Sequence, residues 1–453
     1  MQATIGFYGG VGAVSGANFM VRTDKTSILI DCGLKQGLGG TAEVNAEPFP
    51  YNPAAVDTLL VTHAHADHIG RIAKLIKDGF SGTIYSTPPT KALAAVMMHN
   101  AYHIMKEEHE RYETPLWYSQ SDIDTALTLW KTTGYNEWRS LGDDISVQFT
   151  NAGHILGSAM VHLKRQENTI VCTGDVGNVP QPLMEPPEVP QGYQYLIMES
   201  VYGDRKHEEV EERSALLLAE IEAARERGGT LIIPAFSLER TQSMLYEINH
   251  FIESGRIDPI PVFLDSPLAI EVTDIYKRYT HYLNQTARQR LEEDPDIFEF
   301  PGFKATHSKT ASRDIHETDG PKVIIAGSGM SHGGRIRTHE QKYLRDSNTT
   351  LLLVGHQVVG SLGRRLQDGA KQVEIDGIKV PVQAKVVTIH GFSGHADRDQ
   401  LLDLVAGGGE EAKEVFVTMG EEKSSLFLVQ RLRDYLGVNA RAPEEGEEVV
   451  VEF

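Results

Sequence analysis

The sequence predicts an α/β protein, and three observations carry that reading. The apolar run Val56-Asp57-Thr58-Leu59-Leu60-Val61-Thr62 leads directly into His63-Ala64-His65-Ala66-Asp67-His68, and Ile69, Ile72 and Ile76 then recur at helical spacing, which describes a strand, a turn and a helix. From residue 230 to about 385, short apolar runs alternate with helical stretches, the pattern of a parallel sheet flanked by helices. Glycine-rich turns close many of these runs.

In chain order, residues 1 to 31 read as a glycine-punctuated hairpin region in which Gly9-Gly10-Val11-Gly12 and Ser15-Gly16 separate short apolar runs, ending in the buried strand Ser27-Ile28-Leu29-Ile30-Asp31. A carboxylate at a strand end beside Cys32-Gly33 is costly if buried alone, so Asp31 is expected to orient a metal-bound histidine. The motif at His63 to His68 packs three imidazoles and a carboxylate into six residues. Neutral imidazole and ionised carboxylate are the ligands that Zn²⁺ prefers, and a strand-to-helix turn can aim several of them at one point.

Residues 83 to 87 read as a short strand, and Pro88-Pro89-Thr90 opens a long helix to about Arg111. Its His99, His103 and His109 do not share one face and are expected to be ordinary surface or packing residues. Strands near Ile145–Thr150 and Thr169–Thr173 lead into His154 and Gly174-Asp175, so both residues lie just past a strand, as the opening motif does. Three such loops can converge at one sheet edge.

Composition bounds the function. A chain of 453 residues can form two or three domains with full cores, and 40% hydrophobic with 23% charged residues is an ordinary globular mixture. The start has no basic segment before an apolar core, and no apolar run reaches membrane-spanning length, so no membrane association and a cytoplasmic location are expected. The two cysteines, Cys32 and Cys172, each end an apolar run beside an Asp and are expected to be buried free thiols. A formal net charge of −20 argues against broad affinity for polyanions, so any nucleic-acid site must be local. The basic clusters are Arg335-Ile336-Arg337, near Lys342 and Arg345, and Gly363-Arg364-Arg365.

Asp31, His63 to His68, His154 and Asp175, in this order and local context, resemble the metallo-β-lactamase superfamily, whose fold is a four-layer αβ/βα sandwich. The resemblance implies that His63, His65 and His154 hold one zinc, that Asp67 and His68 hold another, that Asp175 bridges the two, and that a bridging water is the nucleophile. Leu196-Ile197-Met198-Glu199-Ser200-Val201-Tyr202-Gly203 is similar to the first additional motif of the β-CASP nucleases within that superfamily. A helix with Val210, Leu217, Ile221 and Ala224 on one face follows.

The alternating stretch then resembles the β-CASP cap, an α/β domain inserted over the metal site. Its turns Pro234-Ala235-Phe236-Ser237, Asp265-Ser266-Pro267, Gly327-Ser328-Gly329-Met330-Ser331-His332-Gly333-Gly334-Arg335 and Gly355-His356-Gln357 to Gly363-Arg364 resemble the cap's motifs. From them Ser237, Ser328, Arg335 and Arg364 are expected to face substrate phosphates. Lys371 to Val382 reads as a hairpin around Asp376-Gly377. Ala384 to Ile389 is then expected to return the chain to the first domain. Gly391-Phe392-Ser393-Gly394-His395-Ala396-Asp397 matches the motif whose histidine serves as general acid, with Glu199 raising its pKa. The expected organisation is 1–200 and 386–453 as the metallo-β-lactamase domain and 201–385 as the cap, a minimal member of the family.

One position departs from the family. The strand from Glu414 ends in Thr418-Met419-Gly420, and Met419 stands where RNA-cleaving members carry the histidine that completes the second zinc. A thioether is a poor Zn²⁺ ligand, so of two zinc ions per chain the second is expected to be held more weakly, by Asp67, His68 and Asp175. The resemblance implies a zinc-dependent ribonuclease acting on single-stranded RNA, with Asp67, Glu199 and His395 as catalytic residues. Endonuclease and 5′ exonuclease action both stay open, as does homodimer formation. The rivals are a DNA nuclease of the same family, whose members carry an aliphatic residue at the position of Met419, and an RNA-binding scaffold impaired by that residue.

Overall fold

The computed structural model describes residues 1–36, 41–142, 144–207, 210–355, 357–358, 360–389 and 391–453. His356 of the cap motif lies outside the described residues. The chain divides into two compact units, Met1–Lys206 with His395–Phe453, and His207–Gly394.

The first unit is built on two seven-stranded sheets. One begins with the antiparallel strands Gln2–Gly9, Asn18–Arg22 and Ser27–Ile30, and continues in parallel through Thr58–Leu60, Thr83–Ser86 and Trp130–Thr132. The other contains Ile145–Asn151, Ala159–Arg165, Asn168–Cys172, Tyr195–Met198 and Glu414–Val417. A two-residue period sorts the side chains. Ala3, Ile5 and Phe7 from the first sheet meet Val147, Phe149, Val161, Ile170 and Ile197 from the second in one buried cluster. The intervening Met160, Val171, Leu196 and Met198 face the opposite side, where they pack with Leu401 and Leu404 of helix Arg398–Ala406 and Leu428 and Leu432 of helix Glu422–Leu436. Helices Ile72–Lys77, Pro88–Tyr112 and Gln120–Leu129 pack beside the strands Thr83–Ser86 and Trp130–Thr132. Layers of helix, sheet, sheet and helix give the four-layer sandwich. Cys32 and Cys172 are buried free thiols within it.

The second unit is an α/β layer structure around a six-stranded sheet in which every pairing is parallel. Its strands Thr230–Pro234, Val262–Asp265, Lys322–Ala326 and Thr350–Val354 are buried along their whole length, as expected of a sheet covered on both faces. Leu217, Ile221 and Ala224 are the buried side of helix Val210–Glu226. The hairpin Gln372–Ile375 and Ile378–Pro381 turns at Asp376 and Gly377, both with positive φ. One assignment changes. Lys385–Ile389 does not return the chain to the first domain but pairs in parallel with Thr350–Val354 at the sheet's edge. Its run Lys385-Val386-Val387-Thr388-Ile389 has strand character, and an adjacent unpaired sheet edge takes it up before the chain leaves.

Candidate metal centre

The site lies where strands of the first unit end. Strand Thr58–Leu60 runs into Thr62 and His63, and helix Ala66–Ile69 starts immediately after His65, which places Asp67 and His68 in its first turn. The turn is held from outside. The Asp67 carbonyl accepts a hydrogen bond from Ala17 N–H at 2.9 Å, and Gly33 passes so close that a Cβ there would lie 1.6 Å from that oxygen.

Asp31, fully buried, fixes the orientation of the histidines. Its Oδ1 accepts Thr62 N–H at 2.8 Å, and its Oδ2 accepts both the Thr62 hydroxyl at 2.7 Å and His68 Nδ1–H at 2.7 Å. The Thr62 hydroxyl proton is thereby committed to Asp31, so its oxygen accepts from His63 Nδ1–H at 3.1 Å. His63 then carries its proton on Nδ1 and turns a lone pair on Nε2 into the site. His68 likewise turns Nε2 into the site; burial works against a charge on it, but Asp175 and Asp31 outweigh that and hold its pKa well above the usual histidine range, so a cation there has a proton to displace. Nothing in the sequence pattern marks Thr62 beyond its place before His63. Ser158 was equally silent. Its hydroxyl accepts His154 N–H at 3.0 Å and Ile155 N–H at 3.2 Å and so holds the loop that carries His154.

Three groups of donor atoms converge: His63, His65, His154 with Asp175; Asp67, His68 with Asp175; and Asp175, Glu199 with His395. In the first, His65 Nδ1 lies 3.1 Å from His63 Nε2 and 3.2 Å from His154 Nε2, while Asp175 Oδ2 lies 3.4 and 3.5 Å from those two Nε2 atoms. Tetrahedral Zn²⁺ with bonds of about 2.0–2.1 Å separates its ligand atoms by roughly 3.3–3.4 Å, so this donor set fits such an ion. The other oxygen, Asp175 Oδ1, lies 3.2 Å from His68 Nε2, and both atoms are buried without a hydrogen-bond partner. Asp67 Oδ2 completes that second group 3.9 Å from His68 Nε2. Buried polar atoms are rarely left unpaired, and two facing each other suit a second cation.

Electrostatics agrees with cation binding. Burial lowers the pKa of His63, and of His65 and His154 well below the usual histidine range, which favours the ligating neutral form. Burial raises Asp67, whereas at Asp175 the opposing pull of His68 and His63 prevails and holds the carboxyl well below its ordinary value. In the third group, Glu199 Oε1 accepts Val176 N–H at 2.6 Å and lies 3.2 Å from His395 Nδ1. Burial works against a charge on His395, but Glu199 and Asp175 outweigh it and push the imidazole up to about 9. His395 and Asp67 keep 24% and 21% of their side chains exposed, against 2% or less for His63, His68, His154 and Asp175. His65 is likewise only partly buried, so these three are the groups of the site that reach its surface.

Met419 joins none of these groups. It sits in the core with Phe7, Phe19 and Phe416, its sulfur against Gly10, and its N–H donates to Gly10 O at 2.6 Å. The residues expected to face phosphates all have protein partners. Ser237 Oγ is 3.2 Å from Ser266 Oγ, and Ser328 Oγ closes its own loop by accepting His332 N–H at 3.1 Å. Arg335 is held by Asp265 at 2.6 Å and by Thr306 O, and Arg364 pairs with Asp368 at 3.0 Å.

Residues 20–178 match the metallo-beta-lactamase superfamily domain, residues 241–366 the Beta-Casp domain, and residues 379–443 the Zn-dependent metallo-hydrolase RNA specificity domain. The chain is 33% identical to Ribonuclease TTHA0252 of Thermus thermophilus over 98% of its own length and 99% of the relative's. It is 32% identical to Transcription termination factor FttA of Thermococcus kodakarensis, covering 96% of this chain and 69% of that one. It is also 31% identical to an RNase J-like protein of Methanocaldococcus jannaschii, over 97% and 98% of the two chains. A crystal structure of a protein of unknown function from Enterococcus faecalis superposes over both chains entirely with a TM-score of 0.57 at 13% identity, a likeness of fold alone.

Proposed function

Because the chain belongs to the β-CASP family of the metallo-β-lactamase superfamily, we propose that it is a metal-dependent ribonuclease that hydrolyses phosphodiester bonds of single-stranded RNA. The observation that carries this reading is the convergence of four histidine nitrogens and both oxygens of Asp175 on two adjacent cation positions beside an ionisable His395. His63, His65, His154 and Asp175 would hold one zinc ion, and Asp67, His68 and Asp175 a second. Bound there, such ions lower the pKa of a water and stabilise the attacking and leaving oxygens of a phosphodiester.

The protein's own groups do the rest. Asp67, partly exposed at the rim, orients the attacking water and takes its proton. His395, kept protonated by Glu199, delivers a proton to the leaving oxygen. Asp31 and Thr62 hold His68 and His63 in the ligating tautomer. With a thioether in the core where the family's RNA-cleaving members carry histidine, only Asp67, His68 and Asp175 would hold a second ion, which would bind more weakly than the first. Ser237, Ser328, Arg335 and Arg364 stay the residues proposed to meet substrate phosphates, Arg364 by opening a solvent-exposed pair with Asp368 and Arg335 from its place on the buried Asp265.

Incubation of the zinc-supplied protein with an end-labelled single-stranded RNA, its DNA counterpart and an Asp67→Ala control tests the reading. RNA fragments that disappear in the control are expected. Equal cleavage of DNA would make it a DNA nuclease, and RNA binding without products would make it a scaffold.

A further inference from the structure

Phe236 lies two residues past the end of strand Thr230–Pro234, at the carboxyl edge of the all-parallel sheet, the edge at which open α/β sheets bind ligands. It is 40% exposed, although its neighbours Ala235 and Leu238 are buried. Among the described residues it is an isolated case in sequence, since the nearest exposed large apolar side chains are Leu216 and Ile378. An exposed ring of this size matches one nucleobase.

The ring is exposed, yet its backbone is fixed. The Phe236 carbonyl accepts two hydrogen bonds from Thr241, from N–H at 3.2 Å and from the hydroxyl at 2.8 Å, and the Ser237 carbonyl accepts Gln242 Nε2–H at 3.1 Å. The segment closes at Glu239 with φ 71 and ψ −59, and Arg240 N–H bonds Leu238 O at 3.0 Å, which is a γ-turn of the rare, strained hand. The Glu239 carboxylate stabilises that turn by accepting the Ser243 hydroxyl at 2.8 Å and Arg240 Nε–H at 3.3 Å. The ring has a seat: a Cβ on Gly329 would lie 2.8 and 2.9 Å from its Cδ2 and Cε2. Strain held in place around an exposed aromatic points to a function for that aromatic.

We propose that Phe236 is a stacking platform for one unpaired base of the RNA substrate; the inference rests on the ribonuclease reading above. Stacking suits this chain in particular. A protein with a net charge of −20 gains little affinity from counterion release, and a base stacked on a neutral ring needs none. The hydroxyl of Ser237, the next residue along, and that of Ser266, 3.2 Å from it, offer hydrogen bonds to the sugar or phosphate of the same nucleotide.

The test uses the full chain, as wild type, Phe236→Ala and Phe236→Trp, on a single-stranded RNA and on the same RNA carrying one abasic nucleotide at each position in turn. Binding is read by fluorescence anisotropy and cleavage by kcat/KM, with bis(p-nitrophenyl) phosphate as a substrate that has no base. For Phe236→Ala the expected result is a loss of about 5- to 100-fold in RNA binding and kcat/KM. Turnover of the small diester should not change, and Phe236→Trp should behave as wild type. In the wild type one abasic position should carry a penalty that vanishes in Phe236→Ala. RNA handling equal in Phe236→Ala and wild type, or an abasic profile that the substitution leaves intact, would overturn the platform. Wild type that binds RNA without cutting it would overturn the ribonuclease reading alone, because the binding profile still reads the platform; wild type that does not bind RNA would overturn both.

Discussion

Each unit of the molecule buries an aspartate at the carboxyl end of a strand among histidines and hydroxyls, and the two are opposite in kind. Asp265 has every lone pair engaged. Its Oδ1 accepts the Thr306 hydroxyl at 2.5 Å and Arg335 at 2.6 Å, and its Oδ2 accepts the Ser312 hydroxyl at 2.6 Å and His339 Nε2–H at 2.8 Å. Burial alone would raise that carboxyl, yet these donors hold it well below the usual range. Asp175 faces the Nε2 atoms of His63, His68 and His154 at 3.2–3.5 Å, and its Oδ1 and the opposing His68 Nε2 have no hydrogen-bond partner. Similar residue types make a structural brace in one unit and leave a candidate ligand set in the other. What separates them is whether the donor atoms are already engaged, a matter of tautomer and partner rather than composition.

The largest expected effect comes from exchanging the two carboxylates for amides. Asp175→Asn should reduce RNA cleavage by about a thousandfold or more, because a ligand shared by both ions is lost, while the thermal midpoint of the metal-free protein stays level or rises. Asp265→Asn should do the reverse and destabilise by about 3–5 kcal/mol, since it removes the fully buried carboxylate that pairs with Arg335 and His339. Chemical denaturation and a cleavage assay on both variants separate the outcomes. If Asp175→Asn unfolds the protein as Asp265→Asn does, the contrast between brace and ligand set is wrong.

Second in size is the loss at His395. A group that delivers a proton to the leaving oxygen contributes about 10²–10⁴ in rate, so His395→Ala should cut RNA hydrolysis by that factor. Hydrolysis of a nitrophenyl diester, whose leaving group needs no proton, should fall far less. Equal losses on both substrates would show that His395 acts otherwise.

A third carboxyl sharpens the comparison. Glu340, buried in the second unit, has the Ser331 hydroxyl on one oxygen and no hydrogen-bond partner on the other, and burial pushes it up to about 8. It takes a proton where Asp175 has cationic partners. An acid with a raised folded pKa contributes stability below its unfolded pKa of about 4.3 that is lost as pH rises towards 8, an effect of up to about 5 kcal/mol. Glu340→Gln should remove that slope, so wild type and variant should match near pH 4 and diverge towards pH 8 in denaturation experiments. Parallel curves would place the charge elsewhere.

Legibility in the sequence followed the same division. The candidate ligands at His63 to His68 are contiguous and follow an apolar run, and His154, Asp175 and His395 each stand in a short turn just past one, so spacing and local context single out the residues that the fold brings together. Thr62 and Ser158 could not be found, because hydroxyls are common and their roles exist only through Asp31 and the His154 loop. Arg335 looked free because Asp265, its partner, is 70 residues away. The partner of Arg364 is Asp368, one helical turn on, a pairing that spacing could have shown. Met419 was legible as a missing histidine but not as a core residue, since the Gly10 it packs on comes from the other end of the chain.

The central claim is that the unengaged donors around Asp175 are cation sites of unequal strength. Titration of the metal-stripped protein with Zn²⁺, followed by calorimetry and native mass spectrometry beside Met419→His, tests it directly. Two zinc ions per chain are predicted, one tight and one weak, with the weak site strengthened in Met419→His by at least the ten- to hundredfold that changes around metal ligands typically produce. Two equally tight ions in the wild type, or zinc binding that survives Asp175→Asn unchanged, would contradict the account.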